Sequence, residues 1–136
     1  MNWTLEVVVV PVSDPDRAKA FYADKLGFTV DHDTRIPNGP TIIQLTPPGS
    51  GCSVVIGTLS PMAPGSLKGL QLVVNDVRKA REELLARGVE VGEVTFASQE
   101  GFRPATDADD LNNSGFIFFD DPDGNSWAVQ QITSRP

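Results

Sequence analysis

Two copies of one pattern run through this chain. Val12-Ser13-Asp14 returns as Val74-Asn75-Asp76, and the step from Val12 to Ala18 is repeated from Val74 to Ala80. Leu26-Gly27 returns as Arg87-Gly88, one residue early. A supersecondary unit that recurs in sequence recurs in space, and a unit too small to bury its own core must be completed by its neighbour. The 136 residues are therefore expected to form a single domain of two modules. Module one is about 1–57, a linker rich in proline and glycine is 58–69, and module two is about 70–136.

Local chemistry fills in each module. Leu5 to Val12 is an almost unbroken β-branched run, which predicts a strand buried on both faces. Ser13 or Asp14 suits a helix N-cap, with Pro15 in the first turn and Asp16 complementing the helix dipole. Ala18, Phe21, Tyr22 and Leu26 follow at helical spacing, and Gly27 ends the helix. Phe28 to Asp33, Thr41 to Leu45 and Ser53 to Ile56 read as strands. In module two, Leu70 to Val74 is a strand and Val77, Ala80, Leu84 and Leu85 mark a helix. Val89 to Val94, Ser114 to Phe119 and Ser126 to Ile132 are the remaining predicted strands. Asp121-Pro122-Asp123-Gly124-Asn125 is read as a hairpin turn, proline fixing φ and glycine supplying the left-handed residue. Aligned as a calcium loop it would put Phe119 and Gln130 where Asp and Glu are required, so the turn reading is preferred. Phe96 to Asn113 has no clear periodicity and is left open between a lid over a cleft and a solvated excursion.

Charge narrows the partners. The net charge is −7, with 11 Lys+Arg and no basic run. Nucleic-acid affinity comes mainly from neutralising phosphates, so nucleic acid is not an expected partner. A neutral or cationic small molecule suits the charge better than a polyanion. No apolar run approaches the ~20 residues of a membrane span, so no membrane partner is expected. No basic segment precedes an apolar one at the N-terminus, so no signal peptide is expected. The lone Cys52 cannot form an internal disulfide, which fits the cytoplasm.

Pro11 to Tyr22, Leu26-Gly27-Phe28 and the late Phe118 to Trp127, in that order around the duplication, resemble the glyoxalase/bleomycin-resistance/dioxygenase superfamily, also called the vicinal-oxygen-chelate fold. The resemblance covers Leu5 to Gln131. It implies an α+β fold of tandem βαβββ modules, forming a curved mixed sheet with a concave cleft and outer helices, and a homodimer. Metal-dependent members of the family place one ligand on each of four strands. Carried onto this chain, those positions are Val7, Gln44, Gly69 (with Gln71 two residues on) and Ala128. Valine, glycine and alanine offer no side-chain donor, and one glutamine carbonyl is a weak ligand for Zn²⁺, Ni²⁺ or Fe²⁺. The only histidine, His32, sits at the end of a strand near Asp31 and Asp33. No metal and no cofactor are expected.

Strand alternation places Val7 and Val9 on one face with Gln44, Gly69, Gln71, Ala128 and Gln130 on the matching strands. Apolar walls with a few amides are the make-up of a small-molecule pocket. Phe102 and Arg103, on the long segment, are placed at its opening. These nine residues are the candidate ligand-binding set, and no catalytic residue is assigned. The expected function is binding of a drug-like or cationic aromatic compound by a protein without the family's metal ligands. The alternative is a lyase, isomerase or dioxygenase of the same superfamily acting on a small metabolite.

Overall fold

The computed structural model describes residues 1–135 and divides into two compact units. The first comprises Met1–Leu67 and Asp121–Asn125; the second comprises Lys68–Asp120 and the chain from Ser126 onward. The short Asp121–Asn125 turn therefore belongs to the unit built by the other end of the chain.

The first unit runs β1 (Val7–Val9), α1 (Pro15–Ala20), a π-helical turn (Phe21–Lys25), β2 (Thr29–Arg35), β3 (Thr41–Thr46) and β4 (Ser53–Gly57). Its sheet has the order β1-β4-β3-β2, with β1 parallel to β4 and the other pairs antiparallel. Asp14 is the N-cap of α1, and its Oδ1 accepts from the backbone N–H groups of Asp16 (3.0 Å) and Arg17 (3.2 Å). The helix then widens. Leu26 N–H reaches back to the Phe21 carbonyl (3.1 Å), and the extra residue per turn lets Phe21 and its neighbour Tyr22 both be buried. Gly27 at φ 76° ends the helix, where a Cβ would be strained.

Val10, Ile43, Leu45, Val54 and Ile56 are buried, lie on one face of this sheet by register and alternation, and α1 packs on β3 and β4. Complete burial of a side chain this size contributes about 1.5–3 kcal/mol. Tyr22 stacks on Phe28 at 5.8 Å and meets Phe21 edge-on at 5.3 Å. The expectation of a strand buried on both faces over Leu5 to Val12 is corrected: β1 is short and Val9 is 37% exposed. As an edge strand bonded only to β4, β1 lacks a second neighbour to cover it.

The second unit repeats the plan with β5 (Leu70–Val74), α2 (Val77–Ala86), β6 (Thr95–Ser98), β7 (Gly101–Pro104), β8 (Gly115–Asp120) and β9 (Ser126–Gln131). Its sheet order is β5-β9-β8-β6-β7, again with the first pair parallel. Remove β7 and the order matches that of the first sheet. Asp76 caps α2, accepting from Lys79 N–H at 3.1 Å. Val77, Val89, Ile117, Phe119, Trp127 and Val129 are buried, and Phe119 stacks on Trp127 at 6.1 Å.

Two expectations for this unit are corrected. Val89 to Val94 is not a strand; it makes one isolated bridge, Val91 to Phe119. Val89 N–H instead bonds the Leu84 carbonyl (3.0 Å), so this segment starts as the helix stop and its valine is an anchor. The strand equivalent to β2 is β6, inside the segment that showed no periodicity. The hairpin β6–β7 accounts for the first part of that segment.

Candidate functional site

In each unit the face opposite the buried row carries the chemistry. In the first unit the register sets Val9, Val55, Gln44 and His32 in one row across the sheet. Val7 lies in the next row, in register with Ser53. A shift in register between Val30 and His32 inserts Asp31 as a bulge, which turns its side chain toward the same face. Thr46 Oγ1 donates to Asp31 Oδ2 and lies 2.6 Å from Ser53 Oγ. Ser53 is 6% exposed. Asp33 goes the other way: it accepts from Lys19 Nζ (2.8 Å) and Arg35 Nε (2.9 Å). Hydrogen bonds from Arg35 and then Lys19 hold the Asp33 carboxyl well below the usual carboxylate range.

In the second unit one row contains Gln71, Ala128 and Phe118, and the next contains Val73, Gln130, Phe116 and Thr95. Gln71 Nε2 donates to Gln130 Oε1, and Gln130 Nε2 donates to the Asn113 carbonyl (2.8 Å). Phe102 stands edge-on to Phe116 and to Phe118, at 5.4 Å from each, and those two stack at 6.1 Å. Phe102 is 58% and Phe118 41% exposed. Large aromatic rings clustered in the open are a feature of binding surfaces, because leaving them in water forgoes the burial they would otherwise gain.

The structure thus brings Gln71, Ala128, Gln130 and Phe102 together on one face of the second sheet. Val7, Val9 and Gln44 share one face of the first. Gly69 precedes β5, with φ 89° and no side chain to contribute. Arg103 is directed elsewhere. Its guanidinium makes a bidentate pair with Asp109 (2.7 and 2.9 Å) and lies 4.5 Å from the Phe96 ring centre. In consequence the Asp109 carboxyl is held far below its ordinary value, by Arg103 first and the Thr106 N–H second. Phe116 and Phe118 were not among the sequence-derived candidates. Their Phe-x-Phe spacing across from Ala128 and Gln130, in a hairpin whose turn had been identified, was the available signal.

Val7 and Ala128 carry no donor, Gly69 has no side chain, and Gln44 and Gln71 offer only neutral amide carbonyls, weak ligands for a transition metal. This set does not fit a transition metal. Among the described residues no three His, Cys, Asp or Glu side chains gather where they would hold one. An open groove of about 290 Å³ lies at the start of α2, lined by Asp76, Arg78, Asp109 and Gln131 among others. It includes none of the aromatic trio; Asp76 on its wall is the α2 cap, Asp109 is paired with Arg103, and Arg78 donates to the Thr106 carbonyl (2.8 Å). Among the described residues no helix is long and apolar enough to cross a membrane.

Asp121 and Asn125 form a second polar assembly, inside the first unit. Both are buried. Asp121 accepts from Tyr22 Oη (2.7 Å), from Asn125 Nδ2 (2.8 Å) and from the backbone N–H groups of Asp123 (3.0 Å) and Asn125 (2.9 Å). Asn125 Nδ2 also donates to the Pro11 carbonyl (2.8 Å), and its Oδ1 accepts from Leu67 N–H (3.0 Å). Asp123 accepts from Ser13 Oγ (2.5 Å) and pairs with Arg17 (3.2 Å). Gly124, at φ 98°, supplies the left-handed residue. The turn is a clamp on the first unit.

Known proteins share this architecture. The chain is similar to TnmS3, an antibiotic binding protein from Streptomyces sp. CB03234, with 31% identity over 96% of this chain and 97% of that one and a TM-score of 0.74. It is also similar to a glyoxalase/bleomycin resistance protein from Streptomyces sp. CB03234 (32% identity, 94% and 100% covered, TM-score 0.71). A superfamily member from Sphaerobacter thermophilus DSM 20745 is 25% identical (96% and 98% covered, TM-score 0.73). No curated protein matches. Residues 4–129 match the family model itself. With its repeated strand order, its capped helices and this match over nearly its full length, the chain belongs to the Glyoxalase/Bleomycin resistance protein/Dioxygenase superfamily.

Proposed function

We propose that this chain binds a drug-like planar aromatic molecule and sequesters it unaltered, without a metal, as a cytoplasmic homodimer. The observation that carries the reading is the cluster of exposed Phe102 and Phe118 with half-buried Phe116, beside the amides of Gln71 and Gln130. Ala128 sits between Gln71 and Phe118 in its row and leaves room over the sheet. Rings offer faces and edges to a flat ligand, at about 0.5–1.5 kcal/mol per aromatic pair beyond burial, and the amides fix its orientation. The similarity to an antibiotic binding protein supports the same reading.

Calorimetric titration with a panel of flat polycyclic compounds, including 9-aminoacridine and neutral anthraquinones, tests it. At least one should bind, be recovered chemically unchanged, and lose tenfold or more in affinity in F118A, a loss of about 1.4 kcal/mol. No binding across the panel, or affinity indifferent to F102A and F118A, overturns the proposal. Chemical conversion of the bound compound would establish the enzymatic alternative.

A further inference from the structure

We infer that Asp31, Thr46 and Ser53 form a receptor for an ammonium group. The inference rests on the reading that the sheet faces receive a small molecule, and it names the chemical group that this face of the first unit takes. Proton bookkeeping along the chain carries it. An ionised carboxylate only accepts, so the single Thr46 hydroxyl proton is committed to Asp31. Thr46 Oγ1 then has only lone pairs left for Ser53, so across the 2.6 Å contact Ser53 must be the donor. Both hydroxyl protons are thereby spent inside the chain. The carboxylate and the two hydroxyl oxygens present only lone pairs to anything that approaches.

A group that brings several donors and a positive charge satisfies such a surface; a carboxylate or phosphate does not. The charge is not already balanced. The Lys19, Arg35 and Arg17 cations go to Asp33, Asp16 and Asp123, and no ion pair of the described residues includes Asp31. Asp31 is exposed where the bulge projects it, while Ser53 is nearly closed off. An ammonium therefore meets the carboxylate first and the hydroxyl oxygens after shedding water. Gln44 lies one row on, on the same face of the sheet.

The test compares benzylammonium with benzyl alcohol, which has the same ring and no charge, by NMR titration of the full chain. Benzylammonium should shift the Asp31, Thr46 and Ser53 backbone amides saturably and bind at least tenfold more tightly than the alcohol. Asp31→Asn should abolish that preference, because its side-chain amide adds donors to the surface. Thr46→Val, which breaks the chain without touching the charge, should reduce it by a smaller factor. Equal affinity for the two compounds, shifts confined to other residues, or a preference retained in Asp31→Asn overturns the inference. Failure here together with Phe118-dependent binding of neutral anthraquinones would remove the ammonium receptor and leave the proposed function standing. Failure of every flat compound would remove that function instead.

Discussion

Replacing Asn125 with alanine should be among the most damaging single substitutions in the first unit, although it removes no apolar packing of note. Asn125 is fully buried, and its amide makes three side-chain bonds: to the Pro11 carbonyl (2.8 Å), to Asp121 (2.8 Å) and from Leu67 N–H (3.0 Å). Alanine strands the Leu67 N–H, takes one charge-assisted bond from Asp121, and removes one of the two donors to the Pro11 carbonyl, which keeps Gly65 N–H (3.2 Å). A buried polar group left without a partner costs about 1–3 kcal/mol. Leu67 is half-buried, so water recovers part of its share, and Asp121 keeps Tyr22 and two backbone N–H groups. The sum is about 3 kcal/mol. With a urea m-value of about 2 kcal/mol/M for a chain this size, the unfolding midpoint should fall by about 1.5 M. Tyr22→Phe, which deletes one bond to a carboxylate, should cost about 1.5 kcal/mol and roughly half that shift. Asn125→Asp keeps the volume but sets a second carboxylate against Asp121, and should be no milder than alanine at neutral pH. Urea unfolding followed by circular dichroism reads all three. A shift below about 0.5 M for Asn125→Ala, or a benign Asn125→Asp, would refute the account of the turn as a buried polar clamp.

Other perturbations have clear directions. At Gly65 a Cβ would stand 2.0 Å from the Asp123 carbonyl oxygen, with φ already +80°; Gly65→Ala should destabilise by about 2–4 kcal/mol, seen as a lower urea midpoint. Phe102→Ala should cost under about 1 kcal/mol in the same assay, because that ring is more than half exposed, so any lost binding in this variant is not lost folding. The Asp109 carboxyl is depressed in the folded state by Arg103 and Thr106, so its stabilising effect is complete above the ordinary aspartate value and is lost as pH falls through the folded one. Asp109→Asn should therefore unfold more easily than the parent at pH 7, and the two should converge as pH is lowered from about 4 toward 2. A gap that stays constant over that range would contradict the assignment.

Much of this fold could be read from spacing alone. Asp14 and Asp76 stand at matching points of the repeat and cap α1 and α2, because the same local competition between side chain and backbone decides both. Alternation around the Asp121–Asn125 turn gave β8 and β9 to within a residue. What failed did so for reasons outside any local window. Val89 is held by α2 and buried, so the β-branched signal of Val89, Val91 and Val94 served helix termination and a single bridge. The bulge at Asp31 depends on how β2 lies against β3, and no residue in its own strand announces it. Asp121 and Asn125 look like ordinary turn formers, while their decisive partners, Tyr22, Pro11 and Leu67, lie far off in sequence. Alternation also placed Gln71, Ala128 and Gln130 on a shared face, as the register has them. The pairing of Arg103 with Asp109 was not legible, because it needs a chain reversal that composition does not show.

The placement of that late turn has a consequence for biosynthesis. A ribosome makes the first unit's strands and helix first, yet the piece that closes Pro11, Tyr22 and Leu67 arrives only with Asn125, 58 residues after Leu67. Until then the nascent segment carries a buried-to-be tyrosine hydroxyl and two backbone groups still bonded to solvent. Maturation of the first unit is thus timed by the synthesis of the Asp121–Asn125 turn, and a product terminated before that turn should be delivered to proteolysis rather than persist.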